Sequence, residues 1–222
     1  MFGRIKKIHF VGLGGIGISG MAELLHSLGF IISGSDLRRS DITDKLANLG
    51  ARFYEGHHAD HIDDCDMVVY SSAVKSDNPE LEAARGLNIP VIRRAEMLGE
   101  LLKVAETSVA VAGTHGKTTT SSMIGTMLTF ARRDPTMIIG GIVKSLGTNS
   151  RRGRGDIIVV EADEFDRSFL TLRPTIAVIN NIALEHLDCY RNLEDLTTAF
   201  TQFANAVPFY GRVVAYLDDP NV

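Results

Sequence analysis

Ala110-Val111-Ala112-Gly113-Thr114-His115-Gly116-Lys117-Thr118-Thr119-Thr120 is the stretch whose reading decides the fold. The β-branched and alanine run from Ser108 to Ala112 reads as a buried strand. It stops at a glycine turn, and Gly116-Lys117-Thr118 then opens an amphipathic helix. That order is the layout of a phosphate-binding loop. Backbone N–H groups of the loop and of the helix N-terminus face phosphate oxygens, Lys117 adds a point charge, and the Thr118 hydroxyl can ligate Mg2+. The common pattern has a glycine five residues before the Gly-Lys pair. Val111 stands there, so this is a shortened variant. Gly113, Thr114, His115, Gly116, Lys117, Thr118 and Thr119 are the candidate ATP-binding residues.

Outward from that loop, the chain alternates strand and helix signals. On the N-terminal side, Ile8–Val11, Phe30–Ser33, Arg52–Tyr54, Met67–Tyr70 and Val91–Ile92 read as short strands. Between them, Ile18, Met21, Ala22, Leu25 and Leu28 recur at helical spacing up to Gly29. Further helices are read at Asp44–Leu49, from Pro79 through Arg85, and at Ala95–Leu102. On the C-terminal side, strands are read at Ile138–Ile139, Ile157–Val160, Ile176–Ile179 and Val213–Leu217. The helix after the phosphate loop carries Met123, Ile124, Met127, Leu128 and Phe130 on one side, and a later helix runs from Leu193 to Val207. The fold class is therefore α/β: a Rossmann-like parallel-sheet domain over 1–106, then a P-loop-type α/β ATP-binding domain over 107–222.

Composition narrows the class. With 222 residues, 45% of them hydrophobic, the chain has material for two cores. A formal charge of −4 argues against a nucleic-acid surface. Arg151, Arg152 and Arg154 form the densest basic cluster and read as a solvated loop. The apolar stretch Ile8–Ile18 is too short to span a bilayer. Cys65 and Cys189 lie far apart and have no metal-ligand spacing, so the expectation is a reducing cytoplasm.

A second glycine loop sits near the N-terminus. Gly12-Leu13-Gly14-Gly15-Ile16-Gly17 follows a strand and opens a helix, and Asp36 lies at the end of the next strand. In such a fingerprint the glycines let the backbone approach a diphosphate and the acidic side chain takes ribose hydroxyls. Two phosphate loops in one chain narrow the field further. A dehydrogenase has no use for the second, and a simple ATPase has no use for the first. An enzyme that joins a nucleotide-diphosphate substrate to something else, at the expense of ATP, needs both.

Two acidic segments follow strands. Glu161-Ala162-Asp163-Glu164 continues the apolar run Ile157–Val160, and Glu161 is the natural Mg2+ ligand because Mg2+ with ATP takes few protein oxygens. Asn180-Asn181-Ile182-Ala183-Leu184-Glu185-His186-Leu187-Asp188 follows Ile176–Ile179, and His186 is a candidate for a second metal ion or a phosphate contact.

Together these motifs resemble the Mur ligases. The resemblance is carried by Ile8 to Gly17, Ser33-Gly34-Ser35-Asp36, Ser71-Ser72-Ala73 with Asp77-Asn78-Pro79-Glu80, Arg93 to Leu98, Gly113 to Thr120, Gly140-Gly141, Glu161 to Glu164 and Glu185-His186-Leu187-Asp188. It implies ATP-dependent joining of L-alanine to UDP-N-acetylmuramate through an acyl phosphate, in peptidoglycan precursor synthesis, with small-molecule substrates and neither nucleic acid nor membrane as partner. It further implies that Lys117, Glu161 and His186 are catalytic. Thr118 and Glu161 would hold one Mg2+ and His186 a second. Gly12, Gly14, Gly15, Ile16 and Gly17 would cradle the UDP diphosphate, with Asp36 and Ser71 near the uridine and Lys144 and Asn149 near the sugar or its lactyl arm.

There are two departures from the family pattern. Ala183 stands where an acidic residue is usual. The family also runs on into a third domain, so the expectation is an incomplete central domain, no C-terminal domain, and substrate binding without turnover. Two other readings stay open: a nicotinamide oxidoreductase using Gly12–Gly17, and a non-catalytic UDP-sugar-binding module.

Overall fold

The computed structural model of the chain describes residues 2–143 and 148–222, with the side chains of 142, 143, 148 and 149 outside that description. It divides into two compact units, Met1–Met97 and Leu98–Val222.

The first unit is a five-stranded parallel sheet. Its strands are β1 (Lys7–Val11), β2 (Ile31–Asp36), β3 (Arg52–Glu55), β4 (Met67–Tyr70) and β5 (Val91–Arg93), in the order β3-β2-β1-β4-β5. The helices are α1 (Ile16–Ser27), α2 (Asp41–Asn48) and α3 (Pro79–Gly86), followed by α4 (Arg94–Leu102), which straddles the division. Ile8, Phe10, Val68 and Val69 are fully buried. A strand covered on both faces takes apolar residues at consecutive positions, hence the short continuous runs read from sequence. Each such side chain contributes about 1.5–3 kcal/mol of burial.

Local signals explain the helix starts. Ser40 and Thr43 form a capping box at α2, so that helix begins three residues before the expected Asp44. At α3, Asn78 Oδ1 accepts from the N–H groups of Glu80 and Leu81, with Pro79 in the first turn.

The order of strands decides where a ligand can bind. Both β2 and β4 pair with β1, so the connections leave β1 in opposite directions. In an open parallel sheet the crevice lies outside the carboxyl ends of the strands at such a point.

The second unit is a six-stranded mixed sheet. Its strands are β6 (Thr107–Ala112), β7 (Thr136–Val143), β8 (Thr148–Arg151), β9 (Ile157–Glu161), β10 (Ile176–Ile179) and β11 (Arg212–Ala215), in the order β11-β10-β6-β9-β7-β8. All pairings are parallel except β7 with β8. Its helices are α5 (Lys117–Phe130) and α6 (Leu193–Asn205). Phe200 and Phe203 of α6 each close on Phe169 with ring centroids 5.2 Å apart, and all three rings are buried.

Three expectations need correction. Of the basic cluster read as a solvated loop, Arg151 is instead the last residue of strand β8 and pairs with Asp134, whereas Arg152 and Arg154 lie exposed beyond that strand. The last strand is Arg212–Ala215, which leaves Tyr216 and Leu217 outside it. The apolar stripe of α5 is only partly a core face. Met123, Met127 and Phe130 are exposed, and the helix instead buries Ser121 and Gly125 with Ile124 and Leu128 partly covered. The reason is close approach: a Cβ on Gly125 would run into the Met137 side chain on β7. Helix and sheet meet through the small face, because large side chains there would hold them apart.

Candidate functional site

In the first unit the segments at the ends of β1, β2, β3 and β4 enclose a cleft of about 490 Å3. Gly12, Gly15, Asp36, Leu37, His57, Ser71 and Lys75 are among its walls. The glycine loop is held from below: the N–H groups of Gly12 and Leu13 both donate to Ser35 O. Asp36 binds the loop as well. One carboxylate oxygen accepts from Gly14 N at 2.8 Å and the other from Leu37 N at 2.7 Å. Each oxygen therefore has a backbone donor already, and the residue read as a ribose ligand also fixes the loop. Ile16 opens α1, and Gly17 packs against the Arg94 side chain, whose Nη1 lies 3.2 Å from where a Cβ would be.

Beneath this cleft lies a fully buried carboxylate that sequence reading passed over. Glu80 is 0% exposed. Its oxygens meet Ser35 Oγ at 2.5 Å, His57 Nδ1 at 3.2 Å and His61 Nδ1 at 2.6 Å, with His9 Nε2 at 3.8 Å. Burial pushes this carboxyl up, but interactions with His9, Ser35 and His61 outweigh it and hold it at about 2. In the sequence Glu80 looks like an ordinary acid in the first turn of a helix. Only the fold brings histidines from β1, the loop after β3 and the turn at Ala59–Ile62 around it.

In the second unit three loops converge at the carboxyl ends of β6, β9 and β10. Gly113 and Gly116 adopt positive φ, 140° and 79°, and a Cβ on Gly113 would lie 2.9 Å from the Asn180 side chain. The loop is braced by the β10 segment. Thr114 N donates to Asn181 O, His115 N donates to Asn181 Oδ1, and Thr114 Oγ1 exchanges hydrogen bonds with both backbone groups of Ala183. So the amides of Thr114 and His115 are engaged within the protein. The α5 terminus is different, because Gly116 caps it without a side chain and the first N–H groups from Lys117 have no intrahelical acceptor. At Ala183 the structural contacts are made by backbone, which an acidic side chain there would leave in place.

Lys117 Nζ donates to Gly113 O at 2.7 Å, to Thr114 O at 3.2 Å and to Glu164 Oε2 at 2.7 Å. Glu164 is 1% exposed, and its second oxygen has no hydrogen-bond partner and stands 3.6 Å from His186 Nε2. His186 itself adopts a positive φ of 58° and meets Phe165 edge-on. Glu161 hydrogen-bonds with Thr118, Ser121 and Gly140 N, and burial pushes its carboxyl up against those bonds. A Cβ at Gly140 would fall 2.6 Å from Glu161 Oε2, so only glycine leaves room for that carboxylate.

One hydroxyl and one carboxylate in mutual contact are hard oxygen donors. That donor set suits Mg2+, which takes most of its ligands from phosphate and water. Among the described residues no three His, Cys, Asp or Glu side chains form a metal cage.

Both halves of the chain match one family along these same segments: residues 7–105 match the Mur ligase family, catalytic domain, and residues 111–222 the Mur ligase middle domain. The chain belongs to the Mur ligase family. Among Mur ligases, it is 57% identical over 219 residues to the UDP-N-acetylmuramate–L-alanine ligase of Syntrophus aciditrophicus, covering 99% of this chain and 45% of that protein. The enzyme of the same name from Aquifex aeolicus is 54% identical, with 99% and 48% covered. The solved UDP-N-acetylmuramate-alanine ligase of Thermotoga maritima superposes with a TM-score of 0.87 at 35% identity, over 97% of this chain and 50% of that one. The UDP-N-acetylmuramate:L-alanyl-γ-D-glutamyl-meso-diaminopimelate ligase of Neisseria meningitides superposes with a TM-score of 0.89 at 31% identity, over 98% and 73%. This Mur ligase chain spans about half the length of the curated relatives it matches.

Most of the residues expected at the Mur ligase sites fall into the two clusters just described. Lys144 lies outside the described residues, and Asn149 is placed in β8 with its side chain outside them. Sequence reading missed the engagement of Asn181 with the phosphate loop and left Glu164 unassigned. Its one signal was position, three residues past the strand-end Glu161.

Proposed function

We propose that this chain carries two nucleotide-handling domains of an ATP-dependent ligase that joins L-alanine to UDP-N-acetylmuramate. Residues 1–106 would bind the UDP-sugar and 107–222 ATP. The observation that carries the reading is the pair of glycine loops, each at the carboxyl end of a strand, β1 or β6, that pairs in parallel with both its neighbours. The choice of substrates rests on the names of the relatives above. The setting is the cytoplasm, where ATP is made; among the described residues no helix is long and apolar enough to cross a membrane.

In this reading the lactyl carboxylate attacks the γ-phosphorus of ATP, the β–γ bridge breaks, and ADP and an acyl phosphate result. The amine of L-alanine adds to the acyl carbon, loses its proton, and phosphate is expelled. Such chemistry asks the protein for positioning and charge neutralisation. Lys117 supplies positive charge at the loop, and the open N–H groups of Lys117, Thr118 and Thr119 face phosphate oxygens. Thr118 and Glu161 are assigned to one Mg2+ and His186 to a second; bound there, the ions neutralise phosphate charge. Gly12, Gly14, Gly15, Ile16 and Gly17 take the UDP diphosphate, and Asp36 and Ser71 the uridine.

Calorimetric titration with UDP-N-acetylmuramate, with NADH as control, tests the first domain, and Mg·ADP tests the second. Binding of the UDP-sugar and of Mg·ADP, with NADH silent, supports the ligase. Binding of NADH in place of the UDP-sugar overturns it.

A further inference from the structure

The buried Glu80 cluster belongs to no step of the reaction just described, yet it touches the wall of the substrate cleft. Of the three histidines around Glu80, His9 is fully buried, and His61 is stacked on Tyr54 at 4.2 Å between ring centroids. His57 is the one that also lines the cleft.

The network assigns the His57 tautomer. Glu80, ionised, can only accept hydrogen bonds, so the 2.5 Å contact from Ser35 Oγ spends the single hydroxyl proton of Ser35. The 2.9 Å contact between Ser35 Oγ and His57 Nδ1 must then run the other way, with Nδ1–H as donor. The 3.2 Å approach of the same nitrogen to Glu80 Oε2 requires the same proton. Nδ1 is thereby committed inward from two directions, which leaves Nε2 as the ring nitrogen available to a ligand in the cleft that His57 lines. A free imidazole has no such restriction. A carboxylate taken wholly out of water is costly, and it is tolerated where several donors converge on it.

We propose that Glu80 is a positioning residue for the cleft: it holds His57 with Nδ1–H turned into the protein and Nε2 presented to the nucleotide of the bound UDP-sugar. The ligand half of this inference rests on the reading of the cleft given above; the tautomer half does not. Neither residue was legible as a pair, because 23 positions separate them and neither stands in a glycine loop.

The experiment joins two measurements on the 222-residue chain. Long-range 15N–1H correlation spectra of histidine-labelled protein read the tautomer of His57 directly. Calorimetry with UDP-N-acetylmuramate reads its consequence. In the parent protein His57 is expected as the Nδ1–H form, and in Glu80→Gln as a mixture of forms. His57→Gln and Glu80→Gln are each expected to weaken binding about tenfold, the scale of one hydrogen bond to a polar ligand group. The double variant is expected to bind no more weakly than His57→Gln alone, because Glu80 acts through that ring. An unchanged His57 spectrum in Glu80→Gln, or losses that multiply in the double variant, would overturn the proposal. If Glu80→Gln does not fold, Ser35→Ala loosens the same Nδ1 and is judged by the same two readouts. If the parent binds no UDP-N-acetylmuramate while the spectra behave as expected, the cleft reading and the ligand half fall and the positioning of His57 by Glu80 stands.

Discussion

Lys117 Nζ and Glu164 Oε2 lie 2.7 Å apart, with the carboxylate almost wholly buried. The residue that the phosphate-loop pattern marks as a phosphate ligand is thus also the counter-charge of a buried acid. Removing it does two things at once. Lys117→Met is expected to abolish measurable Mg·ADP binding and also to destabilise the fold by about 3 kcal/mol, because it leaves Glu164 buried without its partner. The double variant Lys117→Met/Glu164→Gln should recover most of that stability and none of the binding. Urea unfolding beside calorimetry separates the two effects. Undiminished stability in Lys117→Met would mean that the pair is not formed in solution.

Glu161 and Thr118 touch each other, and the assignment to Mg2+ makes a differential statement. Glu161→Gln keeps the shape and one acceptor oxygen but removes the charge. It is expected to weaken ADP binding about tenfold or more in the presence of Mg2+, and to change it little in EDTA. Equal losses under both conditions would assign Glu161 to the nucleotide and not to the ion.

Gly140→Ala tests the same site through space alone. The new methyl group would sit 2.6 Å from Glu161 Oε2, so the carboxylate must move off the hydroxyl of Thr118. Overpacking of this kind costs about 1–3 kcal/mol. Metal-dependent ADP binding is expected to fall with it, whereas UDP-N-acetylmuramate binding in the other unit stays unchanged. A variant with parental Mg·ADP affinity would show that the position of Glu161 is not critical.

Glu80 sets an acid limit on the first unit. Its carboxyl is held at about 2, below the ordinary value of 4.5. A depressed carboxylate contributes stability that is fully present above its unfolded pKa and is lost as pH falls through the folded value. Here that window runs from about 4.5 down to about 2, and the contribution is roughly 3 kcal/mol. Glu80→Gln is therefore expected to be less stable than the parent at pH 7 and to show a shallower loss across that window. Urea midpoints collected from pH 7 to pH 2.5 check this, and parallel curves for the two proteins would contradict it.

Much of this architecture was legible because its signals are local. The run Ser108–Ala112, the glycine turn and Lys117 are contiguous, and helix caps and strand runs are set by neighbours a few residues apart. Met67–Tyr70 and Ile176–Ile179 were bounded to the residue for that reason. The α5 stripe misled because periodicity reports which side chains are apolar, not which face can approach a sheet most closely. Gly125 against Met137 decided that.

From sequence alone came the two phosphate loops, the α/β alternation and the resemblance to Mur ligases, since each rests on residues adjacent in the chain. Tertiary structure alone decided which charges are buried and what meets them. Glu164 against Lys117, Glu161 beside Gly140, and Glu80 among His9, His57 and His61 are pairings across 19 to 71 positions. Strand order creates them, and no local propensity encodes strand order. An ionisable side chain reads the same in the sequence whether it lies in water or in the core. The cost of desolvating it, and the partners that offset that cost, exist only once the sheets have formed.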